Sequence, residues 1–218
     1  MPQPLVVAPD YPEQPIKLAV LLSGGGTTMQ NLAECIAAGS LHAEITCVVA
    51  SNTKAYGIER AKQLGLPCHV LPRRSYDDRT GFSAEVFQCV RAAGADLVCL
   101  AGFLSLLVIP DDYAWRVINI HPALLPSFGG KGMHGRHVHE AVIAQGCKVT
   151  GCTVHFADPT YDTGPILAQR TCPVLPDDTP QALAERVHHE ECQAYPETIR
   201  ALAEGRVTLD GRVAKVLA

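Results

Sequence analysis

The sequence predicts an α/β fold: an open, mostly parallel sheet with helices on both faces, plus an antiparallel extension in the C-terminal half. Three observations predict it. Short unbroken apolar runs, such as Lys17-Leu-Ala-Val-Leu-Leu22 and Asp96-Leu-Val-Cys-Leu-Ala101, read as strands buried on both faces. The early runs alternate with helical stretches that close at Gly39, Gly65 and Gly94. From about Lys148 the alternation stops, and two longer strand patterns follow with only a loop between them.

The elements follow in order. After the first strand, Ser23-Gly-Gly-Gly-Thr-Thr28 breaks the run and Met29 to Ala38 is helical. Glu44 to Ala50 reads as a strand, Tyr56 to Leu64 as a helix and Cys68 to Leu71 as a short strand. Ser75 to Ala93 reads as a helix with Asp77 and Asp78 in its first turn, where carboxylates favour the dipole. Asp96 to Ala101 and Arg116 to Ile120 are further strands. His121 to His134 is a loop rich in Pro and Gly, and His137 to Ala144 a helix. Lys148 to Phe156 and Pro165 to Pro173 are the two longer strands. Asp178 or Thr179 caps a long helix, with Pro180 at its first position, running to about Glu204. Val207 to Leu209 and Arg212 to Val216 form a small hairpin about Asp210-Gly211.

Composition narrows the class. Of 218 residues, 47% are apolar and 18% charged, which lets a chain of this length bury a core without disulfides or metal. A formal charge of -4 gives no general attraction to nucleic acid or anionic membrane. An anionic ligand must therefore be held by local groups. The nine cysteines are scattered, without a CxxC, and mostly sit in apolar runs. They read as small buried hydrophobes in a reducing, cytoplasmic compartment. Residues 1–16, with Pro2, Pro4, Pro9, Pro12 and Pro15, lack the order of a signal peptide. They are expected to form a flexible tail ahead of a single domain, residues 17–218.

Three motifs carry chemistry. The Gly24 to Thr28 segment lets the backbone approach a ligand and aims a helix N-terminus at it, which suits a phosphate monoester. Asn119-Ile-His-Pro122 ends a buried strand, and strand alternation puts Asn119 and His121 on one side. An amide donor beside an imidazole suits acyl transfer: one polarises a carbonyl oxygen and the other handles protons. Asp158-Pro-Thr-Tyr-Asp-Thr-Gly-Pro165 supplies Asp162, expected to reach His121, orient it and raise its pKa so that it is cationic. Taken alone, each motif also has a purely structural reading: a tight turn, a hydrogen-bonded strand-end histidine, a turn-forming aspartate. His134, His137 and His139 invite a metal reading, but His137 and His139 do not share a helix face and no Cys or carboxylate completes a set.

Taken in order, these residues resemble the formyltransferase family that uses 10-formyltetrahydrofolate. The resemblance is carried by Asn119-Ile-His-Pro-Ala-Leu-Leu-Pro-Ser-Phe128, Gly151-Cys-Thr-Val-His-Phe156 and Tyr161-Asp-Thr-Gly-Pro165. Ser23-Gly-x-Gly precedes them; Glu185-Arg-Val187, Glu191 and Tyr195-Pro196 follow. It runs from about Lys17 to Arg206. It implies a Rossmann-like fold and a one-carbon transferase of purine biosynthesis. Such an enzyme moves the formyl group of its cosubstrate 10-formyltetrahydrofolate onto the amine of phosphoribosylglycinamide, without a tightly bound cofactor or metal. The implied partners are small molecules, with no nucleic acid or membrane, and the chain is expected as a monomer or homodimer.

By the same resemblance, Asn119, His121 and Asp162 correspond to the catalytic trio. Gly26, Thr27, Thr28, Met29 and Gln30 correspond to the segment that binds the ribonucleotide phosphate; Pro122 and Glu191 are also implied on the ribonucleotide, Glu191 at its ribose hydroxyls. Arg79, Leu104, Ser105, Leu106, Leu107, Ala157 and Asp158, with Asn119 and Asp162, correspond to the folate site. The chain departs from relatives in its loop, which commonly reads Gly-Asn-Gly-Ser-Asn, and at Ser105, where some carry arginine. Relatives that hydrolyse the formyl-folate carry an added N-terminal domain, and those that formylate methionyl-tRNA an added C-terminal one; neither is expected here.

Overall fold

A computed structural model describes residues 13–217 and, ahead of them, the two-residue strand β1 (Pro4–Leu5). Of the expected tail, residues 1–3 and 6–12 lie outside the described residues. Ile16, placed in that tail, opens β2 (Ile16–Leu22), in which every residue but Lys17 is buried. The chain continues through α1 (Thr27–Ala37), β3 (Ala43–Ala50), α2 (Gly57–Gln63), β4 (Cys68–Val70), α3 (Arg79–Ala92), β5 (Leu97–Leu100) and β6 (Val117–His121). It then forms α4 (Arg136–Ala144), β7 (Val149–Phe156), β8 (Ile166–Pro173), α5 (Pro180–Ala203), β9 (Val207–Asp210) and β10 (Val213–Val216).

The main sheet has seven strands in the order β4-β3-β2-β5-β6-β7-β8. The first five pair in parallel. β7 then lies antiparallel to β6, and β8 antiparallel to β7, so the expected extension is the far edge of the same sheet. β9 pairs antiparallel with both β10 and β1 in a separate small sheet. Strand alternation sorts side chains between two cores. Leu18, Val20 and Leu22 pack with residues of α1, α4 and α5 on one face. Ala19 and Leu21 pack with Phe82, Val86, Phe87 and Val90 of α3 on the other.

One helix start differs from expectation by a full turn, the others by one or two residues at most. α3 begins at Arg79, not Ser75, because Asp78 has extended backbone and its side chain accepts from Gly81 N at 2.7 Å. Arg73–Ser75 forms a separate 3-10 turn after Pro72. At α5 the cap is Thr179, whose hydroxyl accepts from Ala182 N. Asp178 instead meets Arg186 at 2.6 Å. Deep in α5, the buried Tyr195 hydroxyl lies 3.1 Å from both Leu100 O and Ile118 O. That contact ties the carboxyl end of β5 to β6; ligands bind beyond the carboxyl ends of the strands in open α/β sheets. Among the described residues no helix is long and apolar enough to cross a membrane.

Candidate active site

The carboxyl ends of β2, β5 and β6 open onto a cleft of about 730 Å³. Gly24 to Thr28 form one wall. Gly26 is the N-cap of α1, with φ of 75° and no side-chain cap on the first turn, so leading N–H groups of the helix remain for an anion. A Cβ at Gly26 would stand 2.8 Å from Gly57 Cα, so the turn is built around glycine. The loop is tied to the neighbouring one: Ser23 Oγ accepts from Leu104 N at 2.9 Å and lies 2.6 Å from Ser51 Oγ. Met29 and Gln30, expected in this segment, do not line the cleft. α1 turns Met29 into the core, and Gln30 donates to Glu34 one turn on.

The polar centre lies at the end of β6. His121 is 4% exposed, and its Nε2 lies 2.8 Å from Phe128 O. A carbonyl only accepts, so Nε2 carries a proton and Nδ1 is left facing Asp162 Oδ2 at 3.6 Å. Asp162 is held by Gly130 N, which donates to Oδ2 at 2.9 Å. Phe128 and Asp162 have φ of 55° and 57°, left-handed backbone that a non-glycine residue adopts only at a cost of roughly 1–2 kcal/mol. Here that strain places the two groups that hold the imidazole, a concentration familiar at functional sites.

Asn119 is fixed by a residue to which the sequence assigned no role. His155 on β7 faces it across the β6–β7 pair and is 2% exposed. Its Nδ1 lies 2.8 Å from Phe156 O and therefore carries the proton. In the neutral ring Nε2 is an acceptor, and it takes a hydrogen from Asn119 Nδ2 at 3.1 Å. That contact sets the flip of the amide. The second Nδ2 hydrogen points to Asp162 Oδ1 at 3.4 Å, long enough to be yielded to a substrate oxygen.

Burial decides the charge of His121. It pushes the imidazole below its ordinary pKa and outweighs the Asp162 carboxylate, which pulls the other way. The expected cationic His121 is thus corrected to a neutral resting ring: proximity to a carboxylate is legible in sequence, the depth of burial is not. Asp162 is also pushed up by burial, but its polar surroundings, the donating Gly130 N–H among them, hold it below its ordinary value, so it stays ionised.

A second, narrower cavity of about 60 Å³ meets the cleft at Phe103, Asn119, Tyr161 and Asp162. Ser105, Leu106, Leu107, Ala157 and Asp158, all expected near a folate, line it. Leu104 borders the large cleft and is exposed, while Arg79 is exposed on α3 and lines neither cavity. Pro122 and Glu191 line the cleft. So do Gln181, Glu185 and His188, absent from the sequence's candidates; their spacing along α5 puts them on one face, and that period was the available signal. Cys192 and Glu191 push the pKa of His188 up, giving this wall a positive group.

An α/β sheet with an amide, an imidazole and a carboxylate converging beside a free helix N-terminus defines the class: a site of the kind acyl transfer to or from a phosphorylated ligand calls for. The chain belongs to the formyl transferase family, whose profile matches residues 16–199. It is 43% identical over 194 residues to the chloroplastic phosphoribosylglycinamide formyltransferase of Vigna unguiculata, covering 88% of this chain and 62% of the relative. It therefore spans less than two thirds of that relative's length. Its fold is similar to the crystal structure of glycinamide ribonucleotide transformylase 1 from Symbiobacterium toebii, with TM-score 0.87 and 38% identity, covering 94% of this chain and 95% of that one. It is also similar to a formyltetrahydrofolate deformylase from Pseudomonas syringae pv. tomato, with TM-score 0.82 and 25% identity, over 94% of this chain and 67% of that one.

Proposed function

We propose that this chain transfers the formyl group of 10-formyltetrahydrofolate to the primary amine of phosphoribosylglycinamide. The products are the formylated ribonucleotide and tetrahydrofolate, in a one-carbon step of purine biosynthesis in the cytoplasm. The observation that carries this reading is the meeting of Asn119, His121 and Asp162 where the two cavities join. The phosphate takes the amides of Gly26 to Thr28, Glu191 the ribose hydroxyls, and the folate lies where the narrower cavity meets the cleft, with only an edge of it entering that cavity.

The chemistry balances on these groups. The amine nitrogen attacks the formyl carbon, a C–N bond forms, and the carbonyl electron pair moves to oxygen, where Asn119 donates. The proton shed by the nitrogen goes to His121 Nδ1, and the resulting imidazolium pairs with Asp162. The same proton passes to N10 of the folate as the old C–N bond breaks. A neutral resting His121 is the form this requires, and no metal is needed. The whole step is one exchange of the formyl group between two nitrogens.

The likeness to a deformylase keeps hydrolysis as a second reading. A formyl-labelled folate incubated with and without the ribonucleotide tests both. Label appearing in the ribonucleotide, with little formate when it is withheld, is expected. Equal formate release with and without the acceptor overturns the transferase reading in favour of hydrolysis.

A further inference from the structure

His139 stands on α4 and is 5% exposed, yet neither ring nitrogen has a hydrogen-bond partner among the described residues. Its Nδ1 is sealed from solvent. His134 and His137 lie against each other instead. Buried polar groups are nearly always paired, so an unpaired buried imidazole asks for an explanation. The ring borders the large cleft. It lies within electrostatic reach of both Glu191 and His121, and burial dominates both and keeps it neutral.

Nδ1 is closed off, so Nε2 is the nitrogen that reaches the cleft. An orphaned acceptor is tolerated in a protein interior more readily than an orphaned N–H. The proton therefore belongs on Nε2, and the cleft that holds both the expected ribose contact and the reacting centre is offered a neutral donor. The ligand chemistry narrows what meets it. Between the ribose and the amine of a phosphoribosylglycinamide there is one acceptor, the carboxamide oxygen.

We propose that His139 is a substrate-binding residue that donates from Nε2 to the carboxamide oxygen of the glycinamide. This rests on the function proposed above for the identity of the ligand. It makes His139 a reader of the segment that separates the true substrate from simpler sugar phosphates.

The test uses the full chain carrying His139→Leu or His139→Gln. One hydrogen bond to a neutral acceptor corresponds to a rise in ribonucleotide KM of about three- to tenfold for His139→Leu. Folate KM is expected to stay constant, and His139→Gln, which keeps an N–H donor, to recover most of the loss. Competitive inhibition by ribose 5-phosphate, which lacks the carboxamide, is expected to be equal in wild type and His139→Leu. An unchanged ribonucleotide KM in His139→Leu, or an equal weakening of ribose 5-phosphate, overturns the inference alone. Absence of transfer by the unaltered protein removes the functional reading with it.

Discussion

Gly164 offers a perturbation whose size can be worked from the structure. It follows Asp162 by two positions, and a Cβ built there lies 1.7 Å from Phe156 O and 2.8 Å from Phe156 C. Real Cβ contacts stay beyond 3.0 Å, so in Gly164→Ala the backbone must part by roughly 1 Å or more. The obstacle is backbone, which cannot swing aside. The Asp162 carboxylate depends on that geometry through its contacts at 2.9 Å to Gly130 N, 3.4 Å to Asn119 and 3.6 Å to His121. A misplacement of about 1 Å costs on the order of 100-fold in rate, close to 2.7 kcal/mol at the barrier. Steady-state kinetics with both substrates saturating, alongside thermal melting, reads the effect. Gly81→Ala is the control: its Cβ meets only Asp78 Oδ1 at an ordinary 3.6 Å. It should leave kcat unchanged and add up to about 1 kcal/mol of stability to α3. A folded Gly164→Ala protein with kcat within about threefold of wild type would refute the reasoning.

Other substitutions probe separate links. In Asp162→Asn the carboxylate no longer opposes the effect of burial on His121, so the imidazole pKa falls further. The imidazole must be neutral to accept a proton, so the acid limb of the kcat/KM profile is expected to move to lower pH; a limb that moves up contradicts this. His155→Phe acts on Asn119, whose amide it holds at 3.1 Å; it should slow turnover in the wild type yet add nothing in an Asn119→Ala background, and additive losses would show a purely structural role. Thr153 Oγ1 donates to Ala123 O at 2.7 Å and accepts from Leu125 N at 3.0 Å. Thr153→Val strands that buried N–H and is expected to cost about 1–3 kcal/mol by denaturant melting; an unchanged midpoint argues against the network.

Much of the fold was legible because a strand buried on both faces must be apolar throughout. Leu18 to Leu22 and Leu97 to Leu100 declare themselves that way, and Thr179-Pro180 announces α5 by local capping chemistry. The start of α3 was not, because Ser75 and Asp78 are both competent caps and only the surrounding chain decides between them. The pairing of Pro4–Leu5 with Val207–Asp210 joins distant segments, and no local pattern encodes it. At the site, alternation put Asn119 and His121 on one side of β6. Period alone names a face, however, not the neighbour across it, so the pairing of His155 with Asn119 follows only from the β6–β7 register. His139 reads from the sequence as a loop or helix-surface residue or, less readily, a metal ligand, since spacing cannot show that it is buried with Nδ1 unpaired.

The most direct measurement is single-turnover formyl transfer by Asp162→Ala with both substrates bound. A fall of roughly 100- to 1,000-fold is expected, with substrate affinities and melting temperature close to wild type. A rate near that of the unaltered protein would mean that the meeting of Asn119, His121 and Asp162 is not where the formyl group moves.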